Sequence, residues 1–311
     1  MNLHIKQGLI TSILTVIIII FYTSTVRAQP LIPSPLFSQQ PEYLKALTNA
    51  THAAITGPAH IPLLDQGTLT LPVGYIFIPK KEVASLLNIK SPTLVGVIFP
   101  AKNKTSKHQE TWSILIGYHR VGHISDEAAK QWGSDDDLKK LQDLIQNNNT
   151  TFTKDGIPPL EVSGWIEKPI YNGSSHTLRW SVQMNNRSAA PYDEQMVNYN
   201  MYILGKEGYF VMGLVAPSSS IGHIKPHAIE LLNSLVYNDG KRYEDFSEQT
   251  DRVAQYGIAT LVTGVVNKNA GLLDEGRSLI EKFGVLIVIG FILIIAKING
   301  LFSWKFHLRG F

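Results

Sequence analysis

His223 and His227 stand four apart, with Glu230 three further on. On one face of a helix that spacing presents two imidazoles and a carboxylate to a metal such as zinc. Pro226 sits between the two histidines. Proline belongs in a first helical turn, so the helix is expected to begin near Pro226 and to leave His223 before it, off the common face. His119 and His123 bracket Arg120, Val121 and Gly122 at the end of a strand. The glycine predicts a turn, the two rings need not converge, and no nearby Asp or Glu is expected to complete a ligand set. Asp135, Asp136 and Asp137 could draw a cation, but they follow Ser134, where carboxylates in a first turn stabilise the helix dipole. The adjacent Glu244 and Asp245 are of the type used for acid–base hydrolysis of glycosides. Adjacency in sequence alone does not make them a site.

Other chemistries leave no trace. The chain has no cysteine, which excludes disulfides, thiolate metal sites and cysteine nucleophiles. There is no G-x-S-x-G serine elbow, no Walker loop and no dinucleotide-binding glycine pattern. Neither a catalytic residue, nor a cofactor, nor a metal is expected. The net charge of +3 comes from scattered basic residues, with no basic run interleaved with aromatics, so nucleic acid is not an expected partner. Asn149, Thr150 and Thr151 fit the glycosylation acceptor pattern, relevant only in a host that glycosylates such sites. Trp112, Trp165, Trp180, Tyr199 and Tyr209 fall on predicted strands, where core packing is their default role.

Two apolar stretches suggest where the chain resides. Residues 8–22 are apolar, follow a short segment holding Lys6, and lead into Thr25, Val26, Arg27 and Ala28. That layout predicts a signal peptide over 1–28, cleaved so that the mature chain begins at Gln29. Residues 283–302, FGVLIVIGFILIIAKINGLF, are long enough to span a bilayer as a C-terminal transmembrane helix that contacts membrane lipid. Lys305 and Arg309 follow it, which predicts that the 303–311 tail is cytoplasmic. Residues 254–266, AQYGIATLVTGVV, are apolar but too short to span. They are read as a juxtamembrane helix within 251–276 that either lies on the membrane or packs on the domain. Gly257 and Gly264, seven apart, would share a helical face.

The elements between these ends predict an exported domain over 59–250, after a proline-rich tether at 29–58 in which 42–54 could form a short helix. Strands are expected at 68–71, 75–78, 94–99, 112–118 and 160–167. Alternation at 178–184 and 197–203, and the Gly205–Gly208 turn into 209–215, predict further strands, the last two as a hairpin. Helices are expected at 80–88, from Asp126, after Ser134, and from Pro226 through Leu235. Alternating strands followed by helices indicate an α+β fold, with antiparallel sheets covered by helices on one side. Two similar halves, near 59–150 and 156–250, would be consistent with duplication.

Six blocks come in order: LPVGYIFIPKKEVASLL from Leu71, LVGVIFP from Leu94, GHISDEAAKQW from Gly122, GIPPLEVSGWIEKPIY from Gly156, VNYNMYILGKEGYFVMGLV from Val197, and GKRYEDFSEQTDRVAQYGIATLVTGVVNKNAGLL from Gly240. Together, over about 60–275, they resemble a bacterial family of uncharacterised membrane-anchored proteins with a domain of unknown function. Asn267, Lys268 and Asn269 stand where that resemblance leads one to expect paired lysines. It implies a single-pass inner-membrane protein of a Gram-negative envelope with its main domain in the periplasm, and it carries no catalytic residue over. The function expected from these readings is a non-enzymatic binding or assembly module with an envelope or membrane protein partner. The alternative is a carboxylate-dependent envelope hydrolase.

Overall fold

The computed structural model describes residues 41–87, 91–101, 112–127, 134–154, 159–186 and 195–263. All of them belong to one compact unit, Ser38–Phe311. The predicted signal peptide, transmembrane helix, tail and 264–276 lie outside the described residues, as does the end of the helix expected from Asp126. Among the described residues no helix is long and apolar enough to cross a membrane.

The fold is α+β. Its main sheet is antiparallel with eight strands in the order β1-β4-β5-β6-β10-β9-β8-β7. These are β1 (Ile55–Thr56), β4 (Tyr75–Pro79), β5 (Leu94–Pro100), β6 (Ser113–His119), β7 (Leu160–Asn172), β8 (Thr177–Asn186), β9 (Met196–Leu204) and β10 (Tyr209–Pro217). A smaller sheet joins β11 (Leu235–Tyr237), β3 (Gly67–Leu71) and β2 (Ala59–Leu63) in that order. Helices α1 (Pro41–Ala53), α2 (Lys80–Leu87), α3 (Asp135–Lys154), α4 (Ile221–Leu232) and α5 (Thr260–Thr263) complete the described elements.

The main sheet is buried on both faces. On one face Ile78, Val97, Leu115, Val182, Tyr202 and Val211 meet side chains of α1, α2, α3 and α5. On the other, Phe77, Ile98, Ile116, Tyr199 and Phe210 meet Ile224, Ala228, Leu231 and Leu232 of α4 and the inner face of the small sheet. Helices therefore cover both sides, which corrects the expectation of one covered side. Double burial also explains why β5 reads as an unbroken apolar run. Each fully buried Leu, Ile or Phe contributes about 1.5–3 kcal/mol relative to exposure.

The same placement bears on the two halves. β6 and β10 are antiparallel neighbours, so a two-fold relating the halves would run perpendicular to the sheet and put both helices on one face. Leu141 and Ile145 of α3 lie on the first face and α4 lies on the second, so the halves are not related that way.

Three local expectations change. Within the supposed tether, α1 buries Leu47 and Ala50 and β1 pairs with β4, so the folded unit begins before residue 59. Leu235 belongs to β11 rather than to the preceding helix, because the chain turns at Asn233 and Ser234. Residues 254–259 are irregular, and helix begins only at Thr260. Gly257 therefore precedes that helix. Ile258, Leu261 and Val262 insert into the core, so this part of 254–266 packs on the domain.

The edge strand β7 is fastened by α3. Asn149 Nδ2 donates to the Leu160 carbonyl at 2.9 Å, and Leu160 N–H donates to Asn149 Oδ1 at 2.8 Å. Two helical turns earlier, Gln142 Nε2 donates to the Val162 carbonyl at 3.0 Å. Leu160 and Val162 are alternate residues, so their backbone groups point the same way, and two side-chain amides take them up.

Candidate functional site

His123 marks a buried cluster of polar and aromatic side chains among the described residues. Gly122 delivers it: with φ of +96°, Gly122 lets the chain pass so close to the 247–254 segment that a Cβ there would stand 2.6 Å from the Arg252 carbonyl oxygen. His123 then makes a parallel bridge to Val253. Its N–H donates to Arg252 at 2.8 Å, and its carbonyl accepts from Ala254 N–H at 2.8 Å. The residue is 9% exposed. It lies 4.2 Å from the Tyr243 ring and stacks at 3.9 Å on Phe246. Its Nδ1 has no hydrogen-bond partner among the described residues.

The other side of Tyr243 is stacked on His176, 4.0 Å away. His176 sits in the β7–β8 turn with φ of +47°, a conformation that a non-glycine residue keeps only when its surroundings hold it. Tyr171 at the end of β7 donates its hydroxyl to Asp126 Oδ2 at 2.6 Å, and the Tyr171 hydroxyl oxygen stands 3.1 Å from His176 Nδ1. Asp126 Oδ2 is 3.6 Å from that nitrogen. The Tyr243 hydroxyl donates to the Ile124 carbonyl at 2.9 Å. Loop 122–127, the β7–β8 turn and the 243–246 turn are thereby held together.

Burial, the largest influence on His123, pushes its pKa down, with His176 adding to the effect and Asp126 and Asp251 opposing it. Burial pushes the Asp126 carboxyl up, but Tyr171, Tyr243 and His176 together outweigh it and the net direction is down. Burial first and Asp126 second raise Tyr171. The cluster holds a carboxylate as an anion and a histidine as a neutral ring, and it keeps the phenol protonated. That arrangement fastens loops and responds to protons, and it contains no activated nucleophile.

A second polar cluster lies on the surface. Arg120 bridges Asp65 at 2.6 Å and Glu207 at 2.5 Å, and Lys241 pairs with Glu207 and stands 3.6 Å from Asp65. Tyr118 donates to Gln66 Oε1 at 2.7 Å, and Gln66 Nε2 donates to Glu207 at 3.1 Å. Gln66 and then Arg120 hold Asp65 down at about 2. Lys241 holds Glu207 low.

The residues singled out from the sequence are dispersed. His119 lies against Tyr209, its ring stacked at 4.8 Å, in surroundings different from those of His123. The carboxylate not foreseen near His123 is Asp126, three residues on, which the fold turns back toward it. His223 and His227 both lie within α4, which begins at Ile221 with Pro226 inside it, so the expected start near Pro226 is corrected. Gly222, four residues before Pro226, carries no side chain, and 218–220 already form a helical turn. Both histidines and Glu230 are exposed. Among the described residues no three His, Asp or Glu side chains are placed to hold a metal ion.

Ser134 and Asp137 cap α3 reciprocally: Asp137 N–H donates to Ser134 Oγ at 3.1 Å, and Ser134 N–H donates to Asp137 Oδ2 at 3.1 Å. Asp136 pairs with Lys140 at 2.5 Å. Asp245 accepts from Arg242 N–H at 2.8 Å and closes its own turn, while Glu244 is exposed. Asn149 is buried with both amide atoms bonded, which removes it as a glycosylation acceptor in the folded state. Trp112, Trp180, Tyr199 and Tyr209 are core residues, and Trp165 meets Trp180 edge-on at 5.9 Å.

Solved structures similar to this one include cyanobacterial PsbP (CyanoP) from Synechocystis sp. PCC 6803, at 10% identity and a TM-score of 0.34 over 60% of this chain and 91% of that one. The Ran-binding protein Mog1p of Saccharomyces cerevisiae is similar at 15% identity and a TM-score of 0.32, over 62% of this chain and 100% of that one. A mutant of protein Mog1 is similar at 15% identity and 0.32, over 57% and 91%. Likeness at this level carries no argument about function. No curated protein matches the chain. The model of the family described as "Protein of unknown function (DUF2167)" matches residues 55–292, a span that contains both polar clusters, and the chain belongs to that family.

Proposed function

We propose that this chain is an exported bacterial envelope protein, held to the inner membrane by residues 283–302 as a single span, with the folded domain in the periplasm and 303–311 in the cytoplasm. Its domain serves as a binding or assembly module for an envelope or membrane protein. The observation that carries this reading is the apolar stretch 283–302, uncharged until Lys297 and followed by Lys305 and Arg309.

The hydrolase alternative asks for a carboxylic acid whose pKa is raised. Among the described residues the displaced carboxylates, Asp65, Asp126, Glu207 and Asp251, all move downward, each tied to a partner that favours its anion. That favours the binding module.

Carbonate extraction of membranes tests the anchoring. Full-length protein should stay with the pellet, and a chain truncated after Gly276 should be released. A truncated chain that still behaves as an integral protein overturns the single-span topology. Crosslinking in native membranes tests the module. A single crosslinked envelope protein that is lost when the exposed side chains around the His123 cluster are changed supports it. Turnover of an envelope polymer abolished by carboxylate substitution overturns it.

A further inference from the structure

Asp126, Tyr171 and His176 bring three donor atoms around one point. The Tyr171 hydroxyl oxygen stands 2.6 Å from Asp126 Oδ2 and 3.1 Å from His176 Nδ1, and the carboxylate oxygen and the ring nitrogen are 3.6 Å apart. A circle through atoms so spaced has a radius of about 1.8 Å, so an ion about 1 Å off their plane sits about 2.1 Å from each, the length of ordinary metal–oxygen and metal–nitrogen bonds. Tyr243 adds a second phenol: its hydroxyl interacts with the Asp126 carboxylate as well as with the Ile124 carbonyl. The side chains of Asp126 and His176 are 30% and 26% exposed, so an ion can enter from solvent and keep water on its open side.

Two further features set this group apart. Asp65 and Glu207 are ion-paired to Arg120 and Lys241, and Asp251 to Lys206, whereas Asp126 has no Lys or Arg partner among the described residues. A carboxylate that the protein's own cations do not neutralise is open to one from outside. His176 is also held at a φ of +47°, and strained residues of this kind gather at ligand sites.

We propose that Asp126, Tyr171 and His176, with Tyr243 beside them, bind a ferric ion. No three His, Asp or Glu side chains converge here, and a phenol completes the set. A carboxylate, a phenolate and an imidazole make a hard, oxygen-rich donor set. Burial and then Asp126 hold the proton on Tyr171 tightly, so a strongly polarising trivalent cation is needed to displace it. That proton leaves to solvent as the iron–oxygen bond forms, and His176 donates from its neutral ring. The ion ties loop 122–127 to the β7–β8 turn. Neither membrane anchoring nor a protein partner is required for it, so this inference and the proposed function can fail separately.

The test uses the full chain in detergent, stripped of metal with a chelator and then titrated with ferric citrate at about pH 7 while the visible spectrum is recorded. A phenolate-to-iron charge-transfer band should grow and saturate at one iron per chain, and elemental analysis after gel filtration should return the same ratio. Asp126→Asn should weaken binding at least about ten-fold. Tyr171→Phe combined with Tyr243→Phe should abolish the band, while Glu244→Gln, in the same turn but outside the donor set, should leave it unchanged. Absence of bound iron overturns the proposal. So does iron bound without the band, and so does a titration unchanged by Asp126→Asn or by the double variant. Zinc bound in preference to iron overturns the assignment of the metal. The wild-type and Asp126→Asn titrations decide the matter even where the double variant does not fold.

Discussion

Replacing Asn149 with alanine should release the start of β7 from α3. The amide makes two hydrogen bonds to the backbone of Leu160, at 2.9 and 2.8 Å, and Leu160 is fully buried. Alanine deletes both bonds and strands a buried N–H and a buried carbonyl, each costing about 1–3 kcal/mol when left without a partner. Alanine's better helix propensity returns at most about 0.7 kcal/mol. The net loss should be about 2–4 kcal/mol. Asn147, on the same helix but exposed, is the control. There the same substitution removes nothing buried, and it should be neutral or stabilising by a few tenths of a kcal/mol. Urea unfolding of the full chain in one detergent, followed by tryptophan fluorescence, measures both. If Asn149→Ala lies within about 0.5 kcal/mol of the wild type, or matches Asn147→Ala, the amides do not fasten the strand and the reasoning fails.

Acid should loosen the His123 cluster. Its folded pKa lies below the ordinary 6.5, so the unfolded chain takes up the proton first, and stability that is full above about 6.5 is lost as pH falls below it. One such group contributes a slope of at most about 1.4 kcal/mol per pH unit, and His123→Gln should flatten stability measured between pH 7 and 5; an unchanged slope refutes the assignment. Arg120→Met should cost only about 1 kcal/mol or less, because its side chain and that of Asp65 are 54% and 55% exposed, and the cost should shrink in high salt; a large, salt-independent loss would show the network to be structural.

Much of the sheet was legible because its strands carry their pattern locally. The β9–β10 hairpin follows from alternation in β9 and the Gly205–Gly208 turn into the apolar run from Tyr209, and β4, α2 and β5 begin and end near their expected positions. The second covered face was not legible, and the reason lies in particular residues. Ser113, Asn198, Asn200 and His119 occupy the alternate positions of β6 and β9, and polar residues at alternate positions imply solvent. All four are buried. The His123 cluster was hidden for a different reason. Its members come from positions 123, 126, 171, 176, 243 and 246, far apart in sequence, and only the return of the 247–254 segment across Gly122 brings the last of them in. Of its members only His123 was singled out in the sequence, paired with His119, whose ring was not expected to converge with it; His176 and Tyr243 were not singled out.

The fastening of β7 limits how copies of this domain can associate. An open sheet edge invites another chain to hydrogen-bond along it, and that is how domains swap strands or grow into fibrils. Here the outward groups of Leu160 and Val162 are already occupied by Asn149 and Gln142, Pro169 has no N–H to offer, and three register shifts bend the ladder between Val162 and Ile170. The opposite edge is β1, only two residues long. Under the anchoring proposed above, the protein would meet its own copies often on a membrane surface. With both edges closed, crowding need not lead to fibrillar aggregation, and contacts with partners fall to loops and faces, where side chains rather than backbone decide what binds.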